Sequence, residues 1–486
     1  MEKSDSKGSI ISFIKGSTIL VISNVCLKAI NFLLLPLYTS NLTPKMMGIS
    51  DSITSLEGII LPLLTLGLDS AFSAFYFDSK DPNRNVKVYQ TLSITFRILG
   101  LIPYFLMLFS GGISSILFKT KSYAYIVRLS MASVSINLWY LPYSLELRLK
   151  NNMFKYGLTN VIASLSMILL NILFVSELQM GEVSLVLSTF IVNIEQFFIF
   201  KFFTHEPINR NYFDSELLKK MMKFAIPLIP MTLMMWVLTL SDRYVLLYFD
   251  GQEAVGLYGV ALRFTNLLNV IISAVSMAYT TFAYSSKDNE NAKKMYFYVY
   301  GIESFLLLLV AFSIAMFGKE IISFMTAATY ANSYRPLRDL MYAQAIYALT
   351  TIVGYGIYFE KKSIYSFFSV TTGAAVNLML NIIYIPIFGI EAAAITTLIG
   401  YLINYIMTYL FSEHVYPCEY GEKRIGFIYI VTYLVALNFY EAVLKEKILA
   451  WLVTILVIIA FYYKLLSSTV LYFKKIIVSS CKRRRQ

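Results

Sequence analysis

The feature that most constrains this chain is a series of about fourteen apolar stretches, separated by gaps in which basic residues accumulate alternately. A bilayer core about 30 Å thick needs roughly 20 apolar residues at the helical rise. Stretches such as 219-248, 363-387 and 447-473 reach or exceed that length. Because lipid offers no hydrogen bonds to the backbone and helices satisfy their own, the sequence predicts an all-α integral membrane protein.

Fourteen transmembrane helices are predicted from the ends of the apolar stretches. The approximate spans are 9-38, 48-77, 88-110, 122-146, 157-176, 183-203, 219-248, 254-283, 295-317, 336-358, 363-387, 390-413, 424-440 and 447-473. Pro386 and Gly389 predict a short turn between the eleventh and twelfth spans. The composition agrees, because 57% of the residues are hydrophobic and only 14% are charged, which excludes a soluble protein.

The distribution of basic residues predicts the orientation. One alternate set of gaps, counted from the N-terminus, holds 27 of the 41 Lys and Arg residues, and the other set holds eight. By the positive-inside rule, both termini are predicted to be cytoplasmic. The net charge of +12 follows from this topology and from the basic tail 474-486, which is expected to contact anionic lipid headgroups. Nucleic acid is not an expected partner.

Catalytic and metal-binding patterns are missing from the sequence. Cys26, Cys418 and Cys481 are far apart, so they predict neither a disulfide framework nor a metal site. There is no phosphate-binding loop, zinc-protease motif or nucleophile elbow. No gap between spans exceeds about twenty residues, which is too short for an extramembrane domain with its own core. We therefore expect a protein that is not an enzyme and needs no cofactor or metal ion.

The chain contains an internal repeat. Residues 32 to 55 and 240 to 263 both run from an apolar helix end through a polar turn into a new helix, and Gly48 and Gly256 lie 208 residues apart. The segment 85-96 parallels 291-302 in the same way. Two similar six-helix lobes are therefore predicted, related by an axis along the membrane normal, with substrate bound in a central cavity between them.

The repeat gives a predicted domain division. The segments are an N-terminal lobe 1-203, a cytoplasmic linker 204-218, a C-terminal lobe 219-413, two further helices within 424-473, and the basic cytoplasmic tail 474-486.

Four segments carry a resemblance to a known family. They are PLYTSNLTPKMMG (36-48), FAIPLIP followed by LSDRY (224-230 and 240-244), DGQEAVGLYGVALR (250-263) and NLMLNIIYIPIFGIEAAAITTLIGYL (377-402). In this order and at these topological positions, they resemble the polysaccharide-unit flippases of the multidrug/oligosaccharidyl-lipid/polysaccharide (MOP) exporter superfamily. The resemblance spans the first twelve helices.

The resemblance implies a specific activity. Such a protein moves an undecaprenyl-pyrophosphate-linked oligosaccharide from the cytoplasmic to the periplasmic leaflet of a bacterial inner membrane, by alternating access between two lobes. The product would serve O-antigen, capsule or exopolysaccharide assembly. Membrane lipids, and a polysaccharide polymerase with chain-length proteins, are the partners that the resemblance suggests.

Cations within the predicted spans are candidates for binding the pyrophosphate, since charged groups inside a membrane are costly unless they face protein or water. They are Lys28, Arg97, Arg128, Arg243, Arg263 and Lys464. Lys28 and Arg263 lie away from both ends of their helices, one in each lobe. In the superfamily these helices border the central cavity, so this pair is the predicted pyrophosphate site.

The other charged residues receive different predictions. Arg97 is expected to pair with an acid on a neighbouring helix, and Arg128 either to do so or to extend toward the interface. Lys464 lies outside the two-lobe core and is expected to extend to the interface or contact lipid. Asp242 and Arg243 are adjacent near the outer end of the seventh helix and are a candidate gate or anchor. Acids within spans are Asp51, Glu57, Asp69, Glu195, Glu303 and Glu391.

Glu57 and Glu303 are the candidates for ion coupling. A carboxyl group shielded from water can carry a proton, and it can also help to bind a sodium ion. The coupling ion, H+ or Na+, is left open by the sequence.

Three other activities remain as alternatives. A small-molecule or drug antiporter of the multidrug branch usually has twelve helices, and the two extra helices favour the lipid-linked branch. A lipid II flippase is a second alternative. A membrane polysaccharide polymerase or glycosyltransferase, from a different class, should carry a long outer loop, and the longest outer gap here, about 318-335, is short.

Overall fold

A computed structural model describes residues 32–76, 83–150, 152–205, 208–286 and 292–483. Within these ranges the chain forms helices and turns and contains no β-strand, which confirms the predicted all-α class. Ten helical segments in the same ranges are long and apolar enough to cross a membrane. The protein is therefore a multi-pass membrane protein, while the count of fourteen spans stays a prediction. Lys28 lies outside the described residues.

Contacts divide the chain into two compact units, of which the first comprises Met1–Arg263, Thr326–Tyr330 and Leu378–Ala393. Its described helices are α1 (Leu35–Asn41), α2 (Pro44–Thr65), α3 (Leu68–Tyr76), α4 (Arg84–Leu99), α5 (Leu101–Leu106), α6 (Ser110–Phe118), α7 (Ala124–Leu149), α8 (Met153–Asn171), α9 (Ser184–Thr204), α10 (Ser215–Ala225), α11 (Ile229–Phe249) and the first part of α12 (Gly251–Ser286).

The second unit comprises Phe264–Met325, Ala331–Asn377 and Ala394–Gln486. It contains the rest of α12, then α13 (Ala292–Met316), α14 (Gly318–Met325), α15 (Leu337–Val353), α16 (Tyr355–Phe359), most of α17 (Ile364–Val415), α18 (Glu422–Phe439) and α19 (Leu444–Arg483). The predicted lobes 1-203 and 219-413 stay a prediction, because packing contacts show which residues touch and not which residues move together.

Local sequence features explain where helix α2 begins and where it ends. The Thr43 side chain accepts a hydrogen bond from the Met46 backbone N–H, and Pro44 occupies the first helical position, where its missing N–H costs nothing. The helix ends at Leu66, whose φ is 51°, followed by Gly67 with a φ of 70°. These left-handed residues stop α2 before α3 begins.

Two predicted span boundaries can be compared with the structure. The helical segment of the third span, predicted to end near residue 110, continues through α6 to Phe118, and Gly111 and Gly112 stay helical. Between the eleventh and twelfth spans, α17 leaves helical geometry at Gly389, with φ 57° and ψ −133°. That left-handed φ suits glycine and confirms the predicted break.

Helix α7 is central to the packing of the first unit. It contacts α2, α4, α6 and α9 along its length. The core beside it is aromatic and includes Phe72, Tyr89, Phe96 and Tyr143, each almost fully buried. Close packing of such large side chains gives this part of the unit a dense core.

Candidate functional site

Two glycines let helices α2 and α12 cross in close contact within the first unit. A Cβ atom added at Gly48 would overlap the carbonyl oxygen of Gln252, and one added at Gly256 would overlap the carbonyl oxygen of Pro44. The contact is reciprocal, because each position on α2 has its counterpart 208 residues later on α12. The sequence repeat thus corresponds to a symmetric helix crossing that only glycine permits.

An ion pair joins the two helices near this crossing. The Arg263 guanidinium on α12 donates two hydrogen bonds to the Asp51 carboxylate on α2, from Nη1 to Oδ2 over 3.2 Å and from Nη2 to Oδ1 over 3.0 Å. The side chains of Arg263 and Asp51 are 13% and 16% exposed. Both groups are therefore within reach of water or of a bound molecule, although they lie inside predicted spans.

Three neighbours position this ion pair. Gly259 leaves room for the Asp51 carboxylate, since a Cβ atom there would overlap Oδ2. The Arg263 guanidinium carbon lies 5.9 Å from the centre of the Tyr38 ring, a distance at which the ring attracts a cation. The Tyr38 hydroxyl in turn accepts a hydrogen bond of 2.9 Å from Asn171 Nδ2. Arg263 is thus held between a carboxylate and a fixed aromatic ring.

A second arginine reaches the next turn of α2. Arg243 on α11 donates from Nη1 to the Ser55 hydroxyl over 2.9 Å, and Ser55 follows Asp51 by one helical turn. The Arg243 Nε atom is buried and has no hydrogen-bond partner among the described residues. We refer to Tyr38, Asp51, Ser55, Arg243 and Arg263 together as the paired-arginine site.

Asp242 accepts hydrogen bonds from a backbone group and from a tyrosine. Its Oδ1 accepts a hydrogen bond of 2.8 Å from the backbone N–H of Arg243, and its Oδ2 accepts one of 2.6 Å from the Tyr258 hydroxyl. The bond from Tyr258 fastens α11 to α12, and the Arg243 side chain is directed at α2. The predicted gate or anchor role of Asp242 and Arg243 stays a prediction.

The paired-arginine site is suited to binding oxyanions. Arginine presents a planar fork of N–H donors that binds carboxylate and phosphate oxygens bidentately. In this conformation the Asp51 carboxylate accepts hydrogen bonds from both Nη groups of Arg263. A substrate phosphate would offer similar oxygens with more charge, so it would compete with Asp51 for the same donors.

The two candidate coupling acids have different surroundings. Glu57 lies on α2 in the first unit, faces Ser130 and Tyr140 of α7, and is partly exposed. Glu303 lies on α13 in the second unit and is fully buried, and neither of its carboxyl oxygens has a hydrogen-bond partner among the described residues. An ionised carboxylate without a partner is costly to bury, so this environment fits the neutral acid.

Some features of the site were not predicted. Asp51 was recognised only as an acid within a span, and Tyr38 and Ser55 received no role. One sequence signal could have indicated Asp51, because its counterpart in the repeat is Gly259, where a missing side chain leaves space. Within the described ranges, no cluster of His, Cys, Asp and Glu residues could hold a metal ion.

Comparisons of sequence give a family and one relative. The model of the family described as polysaccharide biosynthesis protein matches residues 13–284 of this chain. The "Uncharacterized membrane protein MJ1068" of Methanocaldococcus jannaschii is 30% identical over 197 residues, which are 38% of this chain and 37% of that protein. The chain therefore aligns with little more than a third of this relative.

Comparisons of structure find transporters with the same fold. The inward closed conformation of the lipid II flippase MurJ matches with a TM-score of 0.73 and 17% identity, covering 93% of this chain and 100% of that one. An inward-facing multidrug resistance MATE transporter of the MOP superfamily matches with a TM-score of 0.64 and 18% identity, covering 81% and 97%. At such low identities the matches establish the fold alone.

Proposed function

The chain belongs to the polysaccharide biosynthesis protein family, and from this premise we propose that it is a flippase for lipid-linked oligosaccharide. The proposed substrate is an undecaprenyl-pyrophosphate-linked oligosaccharide unit. It moves from the cytoplasmic to the periplasmic leaflet of a bacterial inner membrane by alternating access, and both termini of the flippase are cytoplasmic. Its product would feed a polymerase and chain-length proteins in O-antigen, capsule or exopolysaccharide assembly.

The observation that carries the proposal is the bidentate bond between Arg263 and Asp51 inside the membrane-spanning part of the first unit. A pyrophosphate must cross an apolar layer, and a partly exposed arginine whose partner can be exchanged is suited to receive it. Asp51 neutralises Arg263 while no substrate is bound, which lowers the cost of keeping this charge within the membrane. Arg243, one turn away on Ser55, supplies a second cation.

Lys28 completes the proposed pyrophosphate site. It comes from the first predicted span, which also leads into Tyr38 and the start of α2. An ammonium group acts as a point charge and complements the directional fork of Arg263. Lys28 and Arg263 are proposed to bind the two phosphates together, with Asp242 and Arg243 as gate or anchor.

Ion coupling is proposed to occur at a carboxyl group. Glu303 is the better placed of the two candidates, because a fully buried acid without partners changes its energy strongly when it gains or loses a proton. Tyr279 and Tyr429 face it from α12 and α18 within the second unit. Glu57, which is partly exposed, is the second candidate. H+ is favoured over Na+ at Glu303 because, in the part of the chain that the structure describes, no second acidic side chain bonds it.

The proposal is tested with purified protein in liposomes that contain a fluorescent undecaprenyl-pyrophosphate oligosaccharide. Access of the fluorophore to a membrane-impermeant quencher measures movement between leaflets, with and without an ion gradient. We expect protein-dependent movement that is lost in Lys28→Ala and in Arg263→Ala. Lys464→Ala is the matched control, because this exposed cation lies on α19, remote in sequence from the proposed site.

Two results would contradict the proposal. Wild-type movement in both charge-removed variants would rule out their role in pyrophosphate binding. Absence of movement with the native sugar would instead favour the small-molecule antiporter, which can be examined in the same vesicles with cationic dyes.

A further inference from the structure

Two arginines within predicted spans of the first unit, Arg97 and Arg128, take no part in the paired-arginine site. Arg97 lies on α4, and its Nη2 atom donates a hydrogen bond of 2.9 Å to the Tyr143 hydroxyl. The residue is exposed, and within the described part of the chain no carboxylate bonds it. A hydroxyl does not neutralise a guanidinium. The exposed Arg97 guanidinium is therefore open to an anion from outside the chain.

The surroundings of Arg97 form an apolar crevice. A cavity of about 420 Å³ is lined by Arg97, Ile98, Leu101, Trp139 and Phe197, from α4, α5, α7 and α9. Ile98 and Leu101 are 61% and 58% exposed. On a membrane-spanning helix, large apolar side chains that remain exposed contact acyl chains, so this crevice opens toward lipid. We call it the Arg97 crevice.

On the side of Tyr143 and Phe197, the Arg97 crevice lies near the basic ends of α7 and α9. Tyr143 precedes Arg148 by five residues on α7, and Phe197 precedes Lys201 by four residues on α9, which corresponds to about 6 to 8 Å along each axis. The Lys201 ammonium lies 5.8 Å from the centre of the Phe197 ring. Aromatic residues beside basic ones mark the boundary between acyl chains and headgroups.

We propose that the Arg97 crevice binds a single phospholipid with an anionic headgroup. Its phosphate bonds the Arg97 guanidinium, and one acyl chain lies against Ile98 and Leu101. Trp139, whose indole donates to the Arg97 carbonyl oxygen over 3.3 Å, closes the crevice at the level of the glycerol. A phospholipid satisfies both the lone cation and the apolar walls, whereas a free phosphate would leave the walls uncovered.

This lipid is a resident of the first unit and is distinct from the transported substrate. The crevice shares no residue with the paired-arginine site. Arg97 already joins α4 to α7 through its hydrogen bond to Tyr143. The phosphate therefore binds a guanidinium that both helices hold in place.

Trp139 provides a direct reporter for the test. The chain has 3 Trp residues, so the full chain with Trp236→Phe and Trp451→Phe fluoresces from Trp139 alone. The protein is reconstituted in equal mixtures of phosphatidylglycerol and phosphatidylcholine, in which either one or the other lipid carries brominated acyl chains. We expect brominated phosphatidylglycerol to quench more strongly, with a preference of about fivefold.

A matched pair of variants identifies the cation responsible. Arg97→Gln should abolish the preference, so that both brominated lipids quench equally. Arg128→Gln should keep it, because Arg128 is also an exposed arginine within a span but bonds Ser110 near the opposite end of α7. With Arg97 intact, added unbrominated phosphatidylglycerol should relieve the quenching, and inorganic phosphate should not.

Several outcomes would overturn the proposal. Equal quenching by both lipids with Arg97 intact means that the crevice does not select an anionic headgroup. If the preference for phosphatidylglycerol survives in Arg97→Gln, another cation is responsible for it. Protection of Trp139 from both brominated lipids means that a second protein chain covers the crevice. Relief by inorganic phosphate means that the site binds the free anion.

Discussion

Two charged sites, one in each unit, differ in how their side chains are accommodated. In the first unit, Arg263 bonds Asp51 through two hydrogen bonds, and both side chains remain partly exposed. In the second, Glu303 is fully buried, and its carboxyl oxygens have no partner among the described residues. A paired, reachable charge can exchange its partner for an anion. A lone buried carboxyl instead favours the neutral form, so the first arrangement suits substrate binding and the second suits a proton.

The largest effect is expected when the exchangeable charge is removed. Arg263→Gln keeps a polar side chain of similar length but loses the cation, and it leaves Asp51 without its partner. Loss of one member of such a hydrogen-bonded pair typically costs 2 to 5 kcal/mol, so we expect flipping to slow by about 100-fold. The measurement is the rate at which labelled substrate reaches the quencher, normalised to the amount of inserted protein.

Arg263→Lys sharpens the same result. It retains the charge but not the planar fork, so it should recover only part of the rate. Full recovery would show that charge alone matters and that the bidentate geometry with Asp51 has no role.

The second-largest effect is expected at the crossing of α2 and α12, which brings Asp51 and Arg263 together. Gly256→Ala places a methyl group against the Pro44 carbonyl oxygen, and such overpacking costs about 1 to 3 kcal/mol. We expect a lower unfolding temperature and a slower flipping rate. Gly111→Ala is the control, because no atom lies within 4 Å of a Cβ built there. Equal stability of the two variants would contradict the tight crossing.

A smaller and more selective effect is expected in the second unit. Glu303→Gln preserves the shape of the side chain but cannot release a proton, so flipping down a concentration gradient should persist without stimulation by a proton gradient. For one coupled proton, the wild-type protein should change its accumulation ratio about tenfold per pH unit. Glu195→Gln is the control, because Glu195 also lies within a span but accepts a hydrogen bond from Ser166.

The outcome for Glu303→Gln shows which of the two units contains the coupling acid. If stimulation by the proton gradient survives there and disappears in Glu57→Gln, coupling belongs to the first unit and the contrast between the units is wrong.

Much of the architecture could be predicted from the sequence, because the membrane leaves few alternatives. Apolar length and internally satisfied backbones predicted the helical class, and Gly389 indicated the break in α17. The spacing of 208 residues predicted a repeat, and the structure shows it as the reciprocal contact of Gly48 and Gly256. Arg263 was identified as important because a charge within a span is rare.

The partners of these charges could not be predicted. The acid that faces Arg263 is determined by the angle and depth at which α2 and α12 cross. The hydropathy pattern gives no information on this angle or depth. For the same reason Arg97 was expected to pair with an acid, whereas it bonds the Tyr143 hydroxyl. The end of the helix that contains the third span was also not predicted, because Gly111 and Gly112 stay helical where lipid leaves no other hydrogen-bond partner.

The most direct test of the account measures competition between Asp51 and a phosphate for Arg263. Titration of the detergent-purified protein with pyrophosphate, by calorimetry, compares the wild type with Asp51→Asn and with the double variant Asp51→Asn, Arg263→Gln. Removal of the internal carboxylate should tighten binding by about tenfold, and the double variant should lose that gain. Equal affinity in the wild type and in Asp51→Asn would contradict the claim that Asp51 occupies the position on Arg263 that a substrate phosphate would take.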